Sequence, residues 1–167
     1  RLSTAVADNH GDIGSNAVDL SNSYSASITR GATGYASTAM GTNTEASGTY
    51  STAMGISTEA SGSVSTAMGG GTTASGEVST AMGQSTEASG TYSTAMGIST
   101  EASGSVSTAM GGGTTASDYG SLVIGRYNSS GSTVTNSATA FSTANTAFVI
   151  GNGTGTGEDA SDAFKVM

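Results

Sequence analysis

Apolar and polar positions in this chain recur at a fixed distance more clearly than they alternate locally. Met40, Met54, Met68, Met82, Met96 and Met110 fall fourteen residues apart, each followed by glycine. Around them run six unbroken copies of one unit from Gly34 to Ser117: GYASTAMGTNTEAS, GTYSTAMGISTEAS, GSVSTAMGGGTTAS, GEVSTAMGQSTEAS, GTYSTAMGISTEAS and GSVSTAMGGGTTAS. Gly48–Ser75 recurs unchanged as Gly90–Ser117, so a period of 42 residues lies over the shorter one. A period this short implies a stack in which each unit touches only its neighbours.

Within a unit, Ser51-Thr52-Ala53-Met54 reads as one strand ended by Gly55, and Thr58-Glu59-Ala60-Ser61 as a second ended by Gly62. Two strands of about five residues and two tight turns use up the unit and close one flat coil. Glycine is expected at the corners, where tight turns need a positive φ. The chain has no proline, as a stack requires if every coil donates backbone hydrogen bonds to the next. A helix is disfavoured, because two glycines per unit would cost it roughly 2 kcal/mol. The expected fold is therefore an all-β parallel solenoid, or β-roll, of 14-residue coils with two short strands each. At about 4.8 Å per coil, six coils make a rod of roughly 29 Å.

Side chains alternate along a strand. Glu45, Glu59, Glu87 and Glu101 must face water as an acidic outer face, which turns Thr58 and Ala60 inward. With Ala53 also inward, the core is a thin stack of alanines, and Thr52 and Met54 point out of the coil. The opposite parity would put six methionines inside a coil with little room for them. A stripe of exposed methionines marks a covered interface. A seventh, divergent unit supports this parity. Asp118-Tyr119-Gly120-Ser121-Leu122-Val123-Ile124-Gly125 aligns with GTYSTAMG, with Leu122 and Ile124 in the Thr and Met places. The expected interface is therefore Met40, Met54, Met68, Met82, Met96, Met110, Leu122 and Ile124. Ala147-Phe148-Val149-Ile150-Gly151 echoes the strand again after an excess of twelve residues.

Outside the array the period weakens. Residues 1–33 read as an irregular capping region with short strands at Ser3–Val6 and Asn16–Leu20. The β-roll is expected over 34–130. Residues 131–167 read as a divergent coil, a Gly-rich loop at Gly151–Gly157, and the start of a connection to a further domain. Arg1 at the start and a pattern still running at Met167 lead us to expect a segment of a longer chain.

The unit SxAMGxxTxASGxx, with its variant Ser121-Leu122-Val123-Ile124-Gly125, resembles the YadA-like head repeat of trimeric autotransporter adhesins and of related tail-fibre-like proteins. Phe148–Thr154 and Ser161–Val166 resemble the segment that leads into a C-terminal chaperone in such fibres. The resemblance covers about 34–167 well and 1–33 loosely. It implies a left-handed roll, a homotrimer, display on a cell or virion surface, and a host protein or glycan as receptor. The chain departs from the adhesin pattern in carrying Thr-Met where Val-Ile is usual.

Composition narrows the chemistry. Only 35% of residues are hydrophobic, and the net charge is −8 from twelve acidic and four basic residues. Four scattered cations make no phosphate-tracking stripe, which argues against nucleic acid, and the acidic balance argues against an anionic membrane surface. No apolar run approaches the ~18 residues of a membrane span. With no cysteine, thiol catalysis and disulfides are excluded. Asp8, His10 and Asp12 alternate and would share one strand face, as a metal site needs, but a solvated cap loop explains them more simply. A lone histidine completes no catalytic set, and Gly151-Asn152-Gly153-Thr154-Gly155 lacks the lysine and helix of a phosphate loop. No enzyme and no cofactor are expected. The stacked Glu column reads as a solubilising face rather than a divalent-cation site.

Threonine files at Thr38, Thr52, Thr66, Thr80, Thr94, Thr108 and at Thr44, Thr58, Thr72, Thr86, Thr100, Thr114 leave an alternative, a monomeric ice- or ligand-binding solenoid. Against it, the expected strand facing turns one file inward and sets the other beside the methionines. The series Tyr50, Val64, Val78, Tyr92, Val106 reads as packing at the corner.

Overall fold

The structure is a computed structural model, and it describes residues 11–128 and 137–167. The strand expected at Ser3–Val6, together with Asp8 and His10, lies outside the described residues. In chain order the strands are β1 (Val18–Asn22), β2 (Gly31–Ala32), β3 (Thr38–Thr42), β4 (Glu45–Ala46), β5 (Thr52–Ile56), β6 (Glu59–Ala60), β7 (Thr66–Gly70), β8 (Thr73–Ala74) and β9 (Thr80–Gln84). They continue as β10 (Glu87–Ala88), β11 (Thr94–Ile98), β12 (Glu101–Ala102), β13 (Thr108–Gly112), β14 (Thr115–Ala116), β15 (Leu122–Arg126), β16 (Phe148–Asn152) and β17 (Asp162–Val166). The only helical turn among the described residues is a 3-10 turn at Gly157–Asp159.

Each 14-residue unit contributes one five-residue and one two-residue strand. The long strands form a ten-stranded sheet, β1-β3-β5-β7-β9-β11-β13-β15-β16-β17, and the short ones a seven-stranded sheet, β2 to β14. Every pairing is parallel and keeps the repeat in register, as in Thr52↔Thr66, Ala53↔Ala67 and Met54↔Met68, except the last. There β17 returns antiparallel on β16. The expected parallel solenoid is therefore the observed fold.

The alanines lie between the two sheets. Ala39, Ala53, Ala67, Ala81, Ala95 and Ala109 face Ala46, Ala60, Ala74, Ala88, Ala102 and Ala116, all at 0% exposure. Val123 and Val149 continue the core beyond the last short strand. The inner threonine file, Thr44 to Thr114, is buried as well. Backbone bonding continues through the corners: the Ser57 N–H donates to the Thr42 carbonyl and the Val64 N–H to the Thr49 carbonyl, each at 2.8 Å. The polar backbone is thus satisfied from coil to coil, which a core this small requires.

Two local readings are corrected. Gly55 does not end its strand, which runs on to Ile56, and the second strand is two residues long rather than about five. Nor do those glycines make the corners. Most corners are turned at positive φ by non-glycine residues such as Ser57 (53°), Val64 (58°) and Tyr92 (58°), with glycine in the same places at Gly71, Gly113 and Gly120. Glycine is required instead by closeness. A Cβ on Gly48 or Gly83 would lie less than 3.0 Å from the carbonyl oxygen of Gly62 or Gly97 in the next coil. Gly83 also has a φ of 128°.

The ends are finished differently. At the N-terminal end β1 and β2 add a coil whose register with the next is Val18↔Thr38 and Gly31↔Glu45. Asp19 takes the inward place there, and its Oδ1 accepts from the Ser21 hydroxyl at 2.6 Å. At the other end the Asn128 side chain stands in for a further short strand. Its Oδ1 accepts from the Thr115 N–H at 2.8 Å and its Nδ2 donates to the Thr115 carbonyl at 3.1 Å. The twelve-residue excess is also real, since Leu122 pairs with Phe148. The stretch expected as a Gly-rich loop begins inside β16, and the hairpin beyond it is closed by the Asn152 N–H on the Ser161 carbonyl at 3.0 Å.

The stacking glycines give a direct test. Gly83→Ala should lower stability by roughly 3 kcal/mol, from crowding of about 1–3 kcal/mol and backbone strain of about 1–2 kcal/mol. Gly70→Ala, whose Cβ would meet nothing within 4 Å, should stay within about 0.5 kcal/mol of the parent. Urea unfolding followed by circular dichroism separates the two.

Candidate interaction surface

In each long strand from β1 to β16 the second residue points inward, alanine in the six repeats, Asp19 in β1 and valine in β15 and β16, so the residues on either side of it point out. This builds two parallel columns on the outer face of the long-strand sheet. One runs Leu20, Met40, Met54, Met68, Met82, Met96, Met110, Ile124, Ile150, Phe164, each in register with the next. The other runs Val18, the six threonines Thr38 to Thr108, Leu122, Phe148, Val166. Met40, Met110 and Leu122 are exposed, while Met54, Met68, Met82, Met96 and Ile124 are half-buried by their own neighbours. All eight candidate interface residues thus share one outward sheet face.

Six apolar residues of this face lie outside the interface expected from the sequence. Val18 and Leu20 sit twenty residues before their partners rather than fourteen, which hides them from the period. Phe148 and Ile150 were recognised as an echo of the strand but not placed in the columns. Phe164 and Val166 arrive on an antiparallel strand, where Phe164 packs its ring edgewise on Phe148, centroids 6.0 Å apart. A search for apolar residues two apart, free of any period, finds all six. The result is a face apolar at both ends and Thr-Met between.

The acidic residues lie on the opposite outer face, beyond the short strands. Glu45 pairs in register with Glu59, and Glu87 with Glu101, with Thr73 between the pairs and Thr115 after them. Glu59, Glu87 and Glu101 are exposed and Glu45 half-buried. The Ser61 hydroxyl donates to Glu59 Oε1 at 3.0 Å. Among the described residues no group of three or more His, Cys, Asp or Glu side chains is placed to hold a metal ion. No helix among them is long and apolar enough to cross a membrane.

The corner series is a third feature. Tyr50 and Tyr92 are 57% exposed and alternate with the exposed Val64, Val78 and Val106. Tyr35 meets Tyr50 edge-on, centroids 5.5 Å apart and planes at 85°.

A 14-residue coil with Ala in, Met out and a stacking glycine after it is specific enough to be matched against known families. A model of two copies of the YadA head domain repeat matches residues 32–58, 60–86, 74–100, 88–113 and 102–128. The chain belongs to the YadA head repeat family. The matched YadA head coils take in more than half of its 167 residues and coincide with the regular part of both sheets. No curated protein matches the chain.

The Glu pairs of these coils generate a prediction. Like charges directly opposed on neighbouring strands cost about 0.2–1 kcal/mol. Glu101→Gln should therefore raise the melting temperature in low salt, and the gain should shrink as added salt screens the charge. Melting curves of parent and variant across an ionic-strength series check both.

Proposed function

We propose that this chain is a rigid, non-catalytic structural and adhesive segment of an extracellular homotrimeric fibre. The observation that carries the reading is the unbroken outward face from Leu20 to Phe164. Its two columns extend over ten strands and end in valine, leucine, isoleucine and phenylalanine, although the coil's own core is already complete in alanine. Exposed apolar surface of this length marks a contact with another chain. Belonging to the YadA head repeat family favours two further copies of the same chain as that contact, and a left-handed sense for the roll.

In this arrangement the methionine columns face a shared axis and the Glu columns face outward, on a cell or virion surface. Methionine suits such a seam because its unbranched thioether adapts to irregular gaps. Rigidity comes from backbone hydrogen bonds that run coil to coil. Adhesion to a host protein or glycan works by avidity, since each weak site occurs in three copies at once. The competing monomeric ice-binding reading is less well supported. The inner threonine file is buried, and the outer one shares its face with methionine and with bulky apolar ends.

Light scattering after size exclusion tests the assembly. The chain should run at three times 16.0 kDa, and a mass of one chain would overturn the reading. Met68→Glu with Met82→Glu should bring the mass down to one chain while the strand signal in circular dichroism persists.

A further inference from the structure

The 42-residue duplication builds the same notch twice, and the structure fills only one of them. In each notch two successive glycines, Gly70-Gly71 and Gly112-Gly113, stand where the neighbouring coils carry Ile-Ser, Gln-Ser or Arg-Tyr. The coil before is identical in both places, Ile56-Ser57 and Ile98-Ser99. The coil after is different: Gln84-Ser85 follows the first notch and Arg126-Tyr127 the second.

At the second notch the ring of Tyr127 lies directly over Gly113. A Cβ on that glycine would come within 3.0 Å of the ring carbons Cε1 and Cδ1. Arg126 closes the other half, its Cγ 3.5 Å from where a Cβ on Gly112 would stand. Its guanidinium carbon is 5.4 Å from the Tyr127 ring centroid. The missing side chains of the glycine pair thus define a seat that an aromatic ring occupies. At the first notch the seat is open. Nothing lies within 4 Å of a Cβ on Gly70, and the nearest atom to one on Gly71 is Ser85 Oγ at 3.8 Å. The resulting depression is lined by Ile56, Ser57, Gly70, Gly71, Gln84 and Ser85. Ile56, 62% exposed, forms its apolar wall, and the rest of the lining is uncharged and able to hydrogen-bond a phenol.

We propose that the open notch at Gly70-Gly71 binds the aromatic ring of a tyrosine presented by a protein partner, as the twin notch binds Tyr127. The occupant is argued from the molecule itself, because the same seat is seen filled 42 residues further along the chain. Two serine hydroxyls and the Gln84 amide favour a ring with a hydroxyl over a bare one. A flat ring over a glycine backbone also buries apolar surface without displacing any side chain. The site is separate from the fibre reading: it needs one chain and three of its coils.

The test is a titration of the intact chain with N-acetyl-tyrosinamide, read by methyl NMR at Ile56 and Ile98, each assigned with its Ile→Val variant. Saturable shifts and ring-to-methyl contacts are expected at Ile56, half-complete at roughly millimolar probe, as suits a ligand of that size. Ile98 should not respond. Ser85→Tyr should abolish the response at Ile56 by closing the notch from within, and Tyr127→Ser should create one at Ile98. Equal, non-saturating shifts in the parent and in Ser85→Tyr would overturn the proposal. So would N-acetylglucosamine competing at lower concentration than the tyrosine probe, since the seat would then be a sugar site. Both methyls are read at whatever mass light scattering finds, so a monomeric chain removes the fibre reading and leaves the notch to its own shifts.

Discussion

Everything in this molecule depends on how closely one coil lies on the next. Backbone hydrogen bonding between parallel strands sets that spacing at about 4.8 Å, and the coil path brings two points of each turn nearer than any side chain allows. Those points are glycine in coil after coil, stacked against the carbonyl of the glycine that follows. The constraint is steric before it is conformational. Gly48 and its equivalents have ordinary negative φ, whereas Ser57, Val64 and Tyr92 turn the corners at positive φ without being glycine.

The same closeness makes the core thin. Two sheets separated by alanine bury little apolar area per residue, so hydrophobic burial inside one coil contributes less than in a sandwich with leucine and phenylalanine between its sheets. Cohesion shifts to two other places. One is the ladder of backbone bonds, which runs through strands and corners alike. The other is the outer face, where methionine and the terminal valine, leucine, isoleucine and phenylalanine stand outside a core that has no space for them. In the proposed assembly, a chain that keeps its largest apolar groups outside moves part of its stabilisation to the contact with its partners. For that reason the proposal of a partner chain on this face rests on packing as well as on family, while the number three rests on family alone.

Much of this was legible in the sequence, and for identifiable reasons. The 14-residue period implied the stack, and Glu beside Ala in four of the six coils set the facing of the short strands, because an uncompensated carboxylate is costly in an alanine core. What stayed hidden depended on backbone path rather than side-chain type. Gly55 looks like a strand end but lies inside one, since a glycine can extend a parallel ladder at a φ no other residue holds. Val18 and Leu20 belong to the outer columns, yet six extra residues between the first two long strands break the spacing that would reveal them. Phe164 joins the same column on a strand of opposite direction, which no parallel repeat announces. The filling of the second notch by Tyr127 required the side chains themselves, as Tyr127 occupies a position that is asparagine or serine in most earlier coils.

The duplication also separates the length of the rod from the character of its ends. Because Gly48–Ser75 and Gly90–Ser117 are identical, removing or adding one 42-residue block leaves every coil-to-coil junction with a neighbour it already has. Such a step changes the rod by three coils, about 14 Å, and spares the terminal aspartate, the Asn128 plug and the β17 hairpin. It also changes the number of open notches by one. The last notch is always shut by Tyr127, and each block before it ends in a glycine pair followed by Gln-Ser. A lineage that lengthens this chain by unequal recombination would therefore gain reach and valence together, in fixed increments.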